Sequence, residues 1–479
     1  MNSFEAFYIA AAQNRQNNLN FAFPPLSDYD KDSLLKSSHP DFDEALFSTL
    51  KKGKNNGEKA PLLLCEKLNG AAPIYNITPH PDFETDILVL GSGGAGLSAA
   101  ITACENGAKV IIATKHTLAA SNTTLAKGGI SAAIGADDSA KAHFEDTFSG
   151  GGYFADKTLL KKLAKNGKNA IDWLYSLGVS FDTDQNGDFV LYKSGGASKS
   201  RLLSVRDTTG KAITDALIKK TKSLDIEIIE NAAAISLLTE NSRCFGAVLK
   251  EKSGKEIFIK AKATVLATGG MAALTNGPST NHKGAVGDGV VLGYRAGCEL
   301  VDICSLQYHP TGIAYPYSLF GALVTEKARS LGAMLLNREG KPFVNPLETR
   351  DVVTAAIISE CKKGLGIKTE KGDAVLLDTP MIDIIHGKST CEKELPSLFA
   401  LFSRNGIDIA RQPILVYPSL HYQNGGIKIT ENCETAVAGL YAAGEIAGGI
   451  HGHNRLMGNS LLEIIVFGRI AGKAAASVK

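Results

Sequence analysis

The sequence contains eight cysteines but no C-x-x-C motif. Zinc ribbons, iron–sulfur runs and haem-attachment sites need closely spaced cysteines, so the pattern argues against all three classes of metal site. The cysteines are scattered along the chain, at positions 65, 104, 244, 298, 304, 361, 391 and 433. We therefore predict no metal site, and we expect free buried thiols in a reducing compartment.

Long hydrophobic runs and a charge excess are also missing. No segment offers the ~18 uninterrupted apolar residues of a membrane-spanning helix, and the N-terminus MNSFEAFYIAAAQNRQ has no basic region typical of a secretory signal. A formal net charge of +2 indicates neither a nucleic-acid surface nor a polybasic membrane patch. The sequence predicts a cytoplasmic protein without direct membrane insertion and without nucleic acid. Its partners should be small molecules or other proteins.

Glycine, in contrast, is abundant, with 49 residues in 479 against a usual share of ~7%. Such an excess indicates tight turns and close approach of the backbone to a ligand. One glycine cluster, GSGGAG, directly follows the strand-like run TDILVLG that starts at residue 85. A helix-spaced segment, SAAITACENGA, and a second strand, KVIIAT, come next. The order predicts a β-α-β unit, and KATVLATGG (262–270) predicts a later strand of the same sheet.

Gly91, Gly93 and Gly96 form a G-x-G-x-x-G motif between the first strand and the helix. The first glycine permits the tight turn, the second lets backbone N–H groups reach a pyrophosphate, and the third lets the helix pack on the strand. The motif predicts dinucleotide binding. The second strand ends at Thr114-Lys115 and lacks the acidic residue that holds an NAD ribose, which favours FAD.

The C-terminal region, LYAAGEIAGGIHGHNRLMGNSLLEIIVFGRIAG, predicts a short strand, a glycine-rich loop and a long apolar helix. Glu445 suits a contact with a ribose hydroxyl, and Asn459, Ser460 and Leu461 suit a helix start that faces a flavin. The alternative is that they are an acid and a helix cap with structural roles only.

Several further motifs occur in a fixed order: SNTTLAKGGISAA, SGGASKSR, LQYHPTG, VTEKARSLGAMLLNREGKPFV, TRD and HYQNGG. Together with the two glycine-rich regions they resemble the flavoprotein family of fumarate reductase, succinate dehydrogenase and L-aspartate oxidase. The resemblance covers residues 85–479. It implies an α/β fold, with a Rossmann-like FAD-binding domain in two parts (85–303 and 420–479) and an inserted α+β capping domain (304–419). The implied FAD contacts are Gly91, Gly93, Gly94, Gly96, Lys115, Asn122, Thr123, Gly128, Gly129, Gly269, Asp288, Glu445, Asn459, Ser460 and Leu461.

Residues 1–84 lie outside the resemblance. They contain Asn-rich and Lys-rich pieces and only short apolar runs. We interpret them as an N-terminal extension that lies on another surface and does not form a core of its own. It either docks a partner or wraps the body of the protein.

The resemblance also implies a site for a small dicarboxylate. His309, Thr325 and Glu326 match the family's clamp for one carboxylate, and His421 and Arg455 match the clamp for the other. Such a dianion needs cationic and hydrogen-bonding groups at both ends.

Arg350 matches the family's proton-transferring arginine, and Glu326 and Arg329 are placed to relay protons to it. An arginine is an unusual acid, because its ordinary pKa exceeds ~12. A carboxylate and a second arginine beside it would make proton loss tolerable.

At three points this sequence departs from the motifs of particular branches of the family, and these departures indicate the branch to which it is most similar. Asn122 stands where membrane-bound members carry a histidine joined covalently to FAD, so non-covalent FAD is implied, and a lower flavin potential favours fumarate reduction. Ser194 and Ala197 replace the Glu and His that L-aspartate oxidases usually carry in the motif resembling SGGASKSR. The chain also stops soon after the last helix, which again favours the soluble fumarate reductase branch.

The sequence therefore predicts an FAD-dependent oxidoreductase that interconverts fumarate and succinate, with fumarate reduction favoured and with hydride transfer from flavin N5 and protonation by Arg350. L-aspartate oxidation to iminoaspartate, in NAD biosynthesis, is the alternative. A flavin-carrying protein that passes electrons to a partner without a substrate of its own is a third hypothesis. A protein electron-transfer partner is expected under the first hypothesis as well.

Overall fold

Two β-sheets, each with its own hydrophobic core, organise the protein. The computed structural model describes residues 4–71, 75 and 80–478. Within these ranges the helices are α1 (Glu5–Leu19), α2 (Asp28–Ser38), α3 (Leu62–Asn69), α4 (Gly94–Glu105), α5 (Asn122–Leu125), α6 (Ala140–Gly150), α7 (Lys157–Lys165), α8 (Gly167–Ser176), α9 (Thr209–Ser223), α10 (Asp288–Ala296), α11 (Lys327–Ser330), α12 (Arg350–Lys362), α13 (Met381–His386), α14 (Thr390–Glu394), α15 (Pro396–Ser403) and α16 (Asn459–Ala476).

The strands are shorter on average than the helices. They are β1 (Phe47–Thr49), β2 (Lys59–Pro61), β3 (Phe83–Leu90), β4 (Val110–Ala113), β5 (Ile130–Ser131), β6 (Leu202–Leu203), β7 (Glu227–Ile229), β8 (Ala232–Glu240), β9 (Arg243–Glu251), β10 (Glu256–Leu266), β11 (Leu300–Val301), β12 (Leu306–Tyr315), β13 (Met334–Leu336), β14 (Ile367–Thr369), β15 (Gly372–Asp378), β16 (Ile414–Gln423), β17 (Gly426–Ile427) and β18 (Leu440–Ala442).

The first sheet has seven strands, in the order β7-β4-β3-β10-β9-β8, with β18 also pairing with β10. Strands β3, β4, β10 and β18 run parallel, and the predicted β-α-β unit is β3-α4-β4. The end of β3 is buried residue after residue, as expected for a parallel strand whose two faces are both covered. α16 packs against α4. The α/β class predicted from the sequence is confirmed.

The second sheet is antiparallel, in the order β12-β16-β15-β13, with β14 paired to β15. Helix α12 lies along β12 and β15, and their apolar side chains form a separate core that includes Val353, Ile357 and Val375. Most of this sheet lies inside the predicted capping segment (304–419), but β16 continues past its end to Gln423. The domain boundaries themselves remain a prediction.

The N-terminal segment, residues 4–71, forms helices α1–α3 and the β1-β2 pair. Phe4 and Ala11 are buried beside the second sheet, whereas Leu64 and Leu68 are buried in the core of the first. The segment thus lies on both units and shares their cores. Residues 72–74 and 76–79 of the predicted extension lie outside the described residues.

All eight cysteines are free, and six of them are buried. In the described part of the chain, no helix has both the length and the apolar character needed to span a bilayer.

Candidate active site

A cleft opens where the parallel strands of the first sheet end. It encloses about 1060 Å³ of space, part of it continuous with solvent, and is lined by the segments that follow β3, β4, β10 and β18. Ligands of open parallel sheets bind at these carboxyl ends, next to helix N-termini. Most of the lining residues are Gly, Ala, Ser or Thr, so the backbone itself forms much of the wall.

The glycine motif shapes one end of this cleft. Gly91 has φ +111°, and a Cβ there would lie 2.2 Å from the carbonyl oxygen of Ala267. A Cβ at Gly96 would lie 2.0 Å from the carbonyl oxygen of Gly91, so this glycine allows α4 to pack closely on the β3 turn. α4 begins at Gly94, whose backbone N–H donates to Thr123 Oγ1 at 3.0 Å, and its N-cap residue Gly93 provides no side-chain cap. These features fit the pyrophosphate of a dinucleotide such as FAD.

The predicted cofactor contacts divide into two groups. The residues that line the cleft are Gly91, Gly93, Gly94, Lys115, Asn122, Thr123, Gly269, Asp288 and Glu445. The residues that are not part of this lining are Gly96, Gly128, Gly129, Asn459, Ser460 and Leu461. The Asn459 amide bonds to His143 and Thr147 at 2.8 and 3.0 Å, and Leu461 is buried in the large core.

The cleft also contains a pair of histidines and an ion pair. No role was predicted from the sequence for the two histidines, and the two members of the ion pair were predicted only as separate FAD contacts. His116 and His282 line the wall with their ring centroids 4.9 Å apart. Lys115 Nζ donates to Asp288 Oδ2 at 2.6 Å, which joins two predicted contacts that are 173 residues apart. His116 could have been anticipated, because it directly follows Lys115 at the end of β4.

Glu445 lies where the cleft meets the second sheet. Its Oε1 accepts a hydrogen bond from the backbone N–H of Gln423 at 3.1 Å. Burial raises the pKa of Glu445 to about 7, against the opposing effects of this hydrogen bond and of Arg455.

A second cluster consists of long charged side chains. Arg350, the first residue of α12, donates from Nε to Glu326 Oε2 at 2.9 Å, and Arg329 Nη2 lies 3.3 Å from the same oxygen. All three side chains are at least nine-tenths buried. Burial alone would raise the pKa of Glu326, but the charges of Arg350 and Arg329 outweigh it and hold that pKa below its usual range. Glu326 is therefore an ionised bridge between two guanidinium groups.

Gln307 joins Arg350 to Arg455. Its Oε1 accepts from Arg350 Nη1 at 3.0 Å and from Arg455 Nη2 at 2.9 Å, and its Nε2 donates to the carbonyl of Arg455 at 2.8 Å. No role was predicted for Gln307 from the sequence. It stands two residues before His309 on β12, and residues two apart on a strand share a face.

His309 and Thr325 are buried beside these arginines, and His421 is half-buried. The rings of His309 and His421 are edge to face, with centroids 5.1 Å apart. Burial lowers the pKa of both rings, and the neighbouring Arg350 lowers it further, so both histidines are neutral. Thr325 Oγ1 accepts the backbone N–H of Lys327 at 3.3 Å.

The loop SGGASKSR also reaches this cluster. The backbone N–H of Gly195 donates to Glu326 Oε1 at 3.1 Å, and Ser194 is buried next to it in the chain. The loop is therefore in contact with the predicted proton relay.

A short hydrogen-bonded chain connects the cleft with the charged cluster. Asn122 Nδ2 donates to Asn281, whose own Nδ2 donates to the carbonyl of His421 at 2.5 Å. Thr280 Oγ1 lies 2.6 Å from His421 Nδ1. A redox cofactor in the cleft would thus lie next to the residues predicted to hold the substrate.

Residues 86–461 match the family described as FAD binding domain. The chain belongs to this family. It is 37% identical over 407 residues to a component of the fumarate reductase (CoM/CoB) of Methanothermobacter marburgensis, covering 82% of this chain and 73% of that one. It is 36% identical over 388 residues to L-aspartate oxidase of Clostridium perfringens, covering 80% and 85%.

A solved structure of a variant of Escherichia coli quinol fumarate reductase FrdA is similar too, with a TM-score of 0.77, 32% identity and coverage of 82% of this chain and 70% of that one. The predicted family, the FAD-binding fold, the cofactor FAD and the enzyme class are confirmed. The protein is an FAD-dependent oxidoreductase of the fumarate reductase and L-aspartate oxidase family.

Proposed function

We propose that this flavoprotein reduces fumarate to succinate, with the cluster around Arg350 as its substrate site. The observation that carries the proposal is the charge of that cluster. Arg350, Arg329 and Arg455 are all at least nine-tenths buried, and Glu326 pairs with the first two.

Arg455 has no ion-pair partner among the described residues, and its guanidinium instead lies 4.2 Å from the centroid of the Tyr422 ring. Burial lowers its pKa to about 10, and the nearby charge of Arg350 acts in the same direction. A buried charge without a partner is costly. A carboxylate of a small dianion would relieve that cost, because it accepts two parallel hydrogen bonds from a guanidinium.

The two ends of the cluster suit the two ends of a dicarboxylate. Arg455 and His421 form one group, and His309 and Thr325 form the other. FAD, once bound and reduced by an electron donor, would supply the hydride and return to its oxidised form. Arg350 then protonates the neighbouring carbon, and Glu326 and Arg329 return a proton to it. We assign no role in this step to the neutral histidines other than donating hydrogen bonds to carboxylate oxygens.

L-aspartate oxidation is the second candidate, since L-aspartate oxidases are among the similar proteins. An aspartate site needs an acceptor for the substrate ammonium. The loop next to Glu326 offers Ser194 and Ala197, neither of which carries a charge. This favours fumarate over aspartate.

Anaerobic reoxidation of the reduced flavin tests the proposal. Fumarate, iminoaspartate and mesaconate are offered in turn, and the rate of return of the flavin absorbance is measured. We expect fumarate to reoxidise the flavin fastest. Faster reoxidation by iminoaspartate, together with aspartate-dependent peroxide formation in air, would establish the alternative.

We further propose that FAD is held without a covalent bond. Asn122 is an amide whose Oδ1 accepts the backbone N–H of His282 at 2.8 Å, and it offers no ring nitrogen for attachment to the flavin. Acid precipitation should release all of the yellow colour into the supernatant. Flavin fluorescence that stays with the denatured protein on a gel would contradict this assignment.

A fumarate reductase of this kind also needs an electron donor. We propose a protein partner for this role. As a separate proposal, residues 304–419 form a capping domain that covers the flavin. Pull-down of the partner with full-length protein, in competition with a peptide of residues 1–45, tests whether the extension takes part in docking.

A further inference from the structure

The N-terminal segment contacts two units of the protein, one after the other along the chain. The first unit is the FAD-binding unit built on the first sheet, and the second unit is the second sheet with α12. Residues 4–41 contact the second sheet and α12, and residues 50–70 contact the first unit. The family match begins only at residue 86, so these contacts are additional to the FAD-binding body. The two halves are joined by the exposed stretch 42–46.

The first anchor is on the second sheet. Arg15 donates from Nε and Nη2 to both carboxylate oxygens of Asp378, at 2.9–3.2 Å, and the Asp378 side chain is fully buried. Asn14 and Asn18 donate to the carbonyls of Glu339 and Gly340 at 3.1 and 3.0 Å. A bidentate ion pair of this kind fixes the relative orientation of the two segments that it joins, in addition to strengthening their contact.

The second anchor is on α12, the helix that begins with Arg350. α2 packs along α12, and Lys31 Nζ pairs with Glu348 Oε2 at 3.0 Å, two residues before Arg350. At the other end of the helix, Lys362 Nζ donates to the carbonyl of Ser37 at 3.0 Å.

The third anchor is on β12, the strand that carries Gln307 and His309. The backbone N–H of Leu306, the first residue of β12, donates to Asp41 Oδ2 at 3.2 Å. The ring of His39 packs edge to face against Tyr308, with centroids 5.9 Å apart. The other oxygen of Asp41 is buried without a hydrogen-bond partner among the described residues.

The remaining anchors are on the FAD-binding unit. Asn55 makes two hydrogen bonds with the backbone of Leu300, at 2.8 and 2.9 Å. α3 packs on α10, and its Lys67 Nζ lies 3.4 Å from Asp288 Oδ1, a residue of the cofactor cleft. Leu64 and Leu68 are buried in the large core.

We propose that residues 4–70 form a clasp that fastens the second sheet to the FAD-binding unit, and that Asp41 within it is a positioning residue for β12. The second and third anchors lie beside elements that present a site residue, Arg350 on α12 and the pair Gln307 and His309 on β12. The clasp itself is independent of the substrate. Only the effect of Asp41 on turnover rests on the proposed function.

Two engineered cuts in the FAD-loaded full-length protein test the clasp. A site for a specific protease is inserted between Glu44 and Ala45, where the chain passes from one unit to the other. The matched control has the same site between Phe23 and Pro24, where a cut leaves residues 27–70 continuous. The uncut form of each variant is its own reference for FAD content.

Amide hydrogen exchange is then measured without substrate. We expect the cut after Glu44 to speed exchange several-fold in peptides that cover Leu306–His309 and the start of α12, because Asp41 is no longer tethered to the first unit. The control cut should leave these peptides unchanged. If the two cuts speed the exchange of these peptides equally, or if neither cut changes it, the clasp is overturned.

Three substitutions test Asp41. Asp41→Ala should raise KM about tenfold or lower kcat by a similar factor, with faster exchange of the Leu306 amide, since that N–H loses its acceptor. Asp41→Asn keeps an acceptor oxygen, so the kinetic constants and the exchange rate of the Leu306 amide should both stay near their wild-type values. Asp32→Ala, an exposed acid on α2, is the control and should change neither.

Unchanged exchange at Leu306 in Asp41→Ala would overturn the positioning role. Faster exchange with unaltered fumarate kinetics would show that Asp41 holds β12 without positioning the substrate site. That second result would overturn the positioning role of Asp41, and would leave the clasp and the proposed function intact.

Discussion

The cofactor cleft and the charged cluster (Arg350, Glu326, Arg329, Gln307 and Arg455) lie next to each other but are lined by opposite kinds of side chain. The cleft is lined mostly by Gly, Ala, Ser and Thr, and it offers backbone groups and empty space. The cluster is filled by long side chains, and three buried arginines share one carboxylate and one glutamine. Shape decides what the cleft accepts, whereas charge decides what the cluster accepts.

The two regions also differ in how far apart their parts lie in the chain. Gly91 to Gly96 form one continuous segment, the turn after β3 and the start of α4, and most other walls of the cleft are strand ends of one sheet. The cluster joins Gln307 to Arg455 across 148 residues. A change in the cleft should therefore act on FAD binding, and a change in the cluster should act on the substrate and on proton transfer.

The largest expected effect comes from the centre of the cluster. Arg350→Lys should lower kcat by about three decades and leave substrate affinity largely intact, because Lys keeps the charge but loses the planar fork that bonds Glu326 and Gln307 together. The kcat and a spectral titration of the oxidised flavin with substrate measure the two quantities.

Arg411→Lys, at an exposed arginine, is the matched control. Near-native kcat in Arg350→Lys would show that another group donates the proton.

The matching change in the cleft is Gly96→Ala. The new Cβ would lie 2.0 Å from the carbonyl oxygen of Gly91, so the turn must shift and FAD affinity should fall about a hundredfold. Gly277→Ala, whose Cβ would make only an ordinary contact of 3.6 Å with Thr275 Oγ1, serves as control. FAD dissociation is followed by recovery of free flavin fluorescence, and equal affinity in both variants would show that close packing at Gly96 is not required.

A change of charge at the edge of the cluster should alter selectivity. Ser194→Glu should shift the ratio of aspartate oxidation to fumarate reduction by one to two decades in favour of aspartate, since a carboxylate binds an ammonium but repels a dianion. Both rates are measured on one preparation. Ser200→Glu, at an exposed position of the same loop, is the control. An unchanged ratio in Ser194→Glu would place this loop away from the substrate.

The smallest effect is on stability and concerns Glu445, which lies between the two regions. Its folded-state pKa of about 7 lies above the unfolded value near 4.3–4.5, so the folded state binds the extra proton. Stability should fall as the pH rises from about 4.5 to 7, by roughly 2–3 kcal/mol in FAD-free protein.

Glu445→Gln should remove this dependence, whereas Glu240→Gln, at an exposed position, should retain it. Urea unfolding at pH 5 and pH 8 gives the difference. A wild-type difference that persists in Glu445→Gln would assign the titration to another group.

The β-α-β unit, a strand near 262–270 (β10, Glu256–Leu266) and the C-terminal helix could be predicted from the sequence, because each follows from hydrophobic period and glycine turns within a short segment. The family resemblance extended this to the residues of the proposed substrate site, and the structure places Arg350 and Arg329 in contact with Glu326. Gln307 was missed, because a neutral side chain in the middle of a strand has no local signal for a role between two arginines.

The course of the N-terminal segment could not be predicted either. Its short apolar runs are compatible with any surface, and only the completed fold brings Arg15 to Asp378 and Asp41 to Leu306. The sequence by itself determined the FAD-binding turn, because a glycine turn between a strand and a helix is a local structure. The tertiary structure alone decided how the buried charges are shared and how the two units are fastened, because ion pairs and hydrogen bonds between distant segments depend on side-chain positions that exist only in the folded chain.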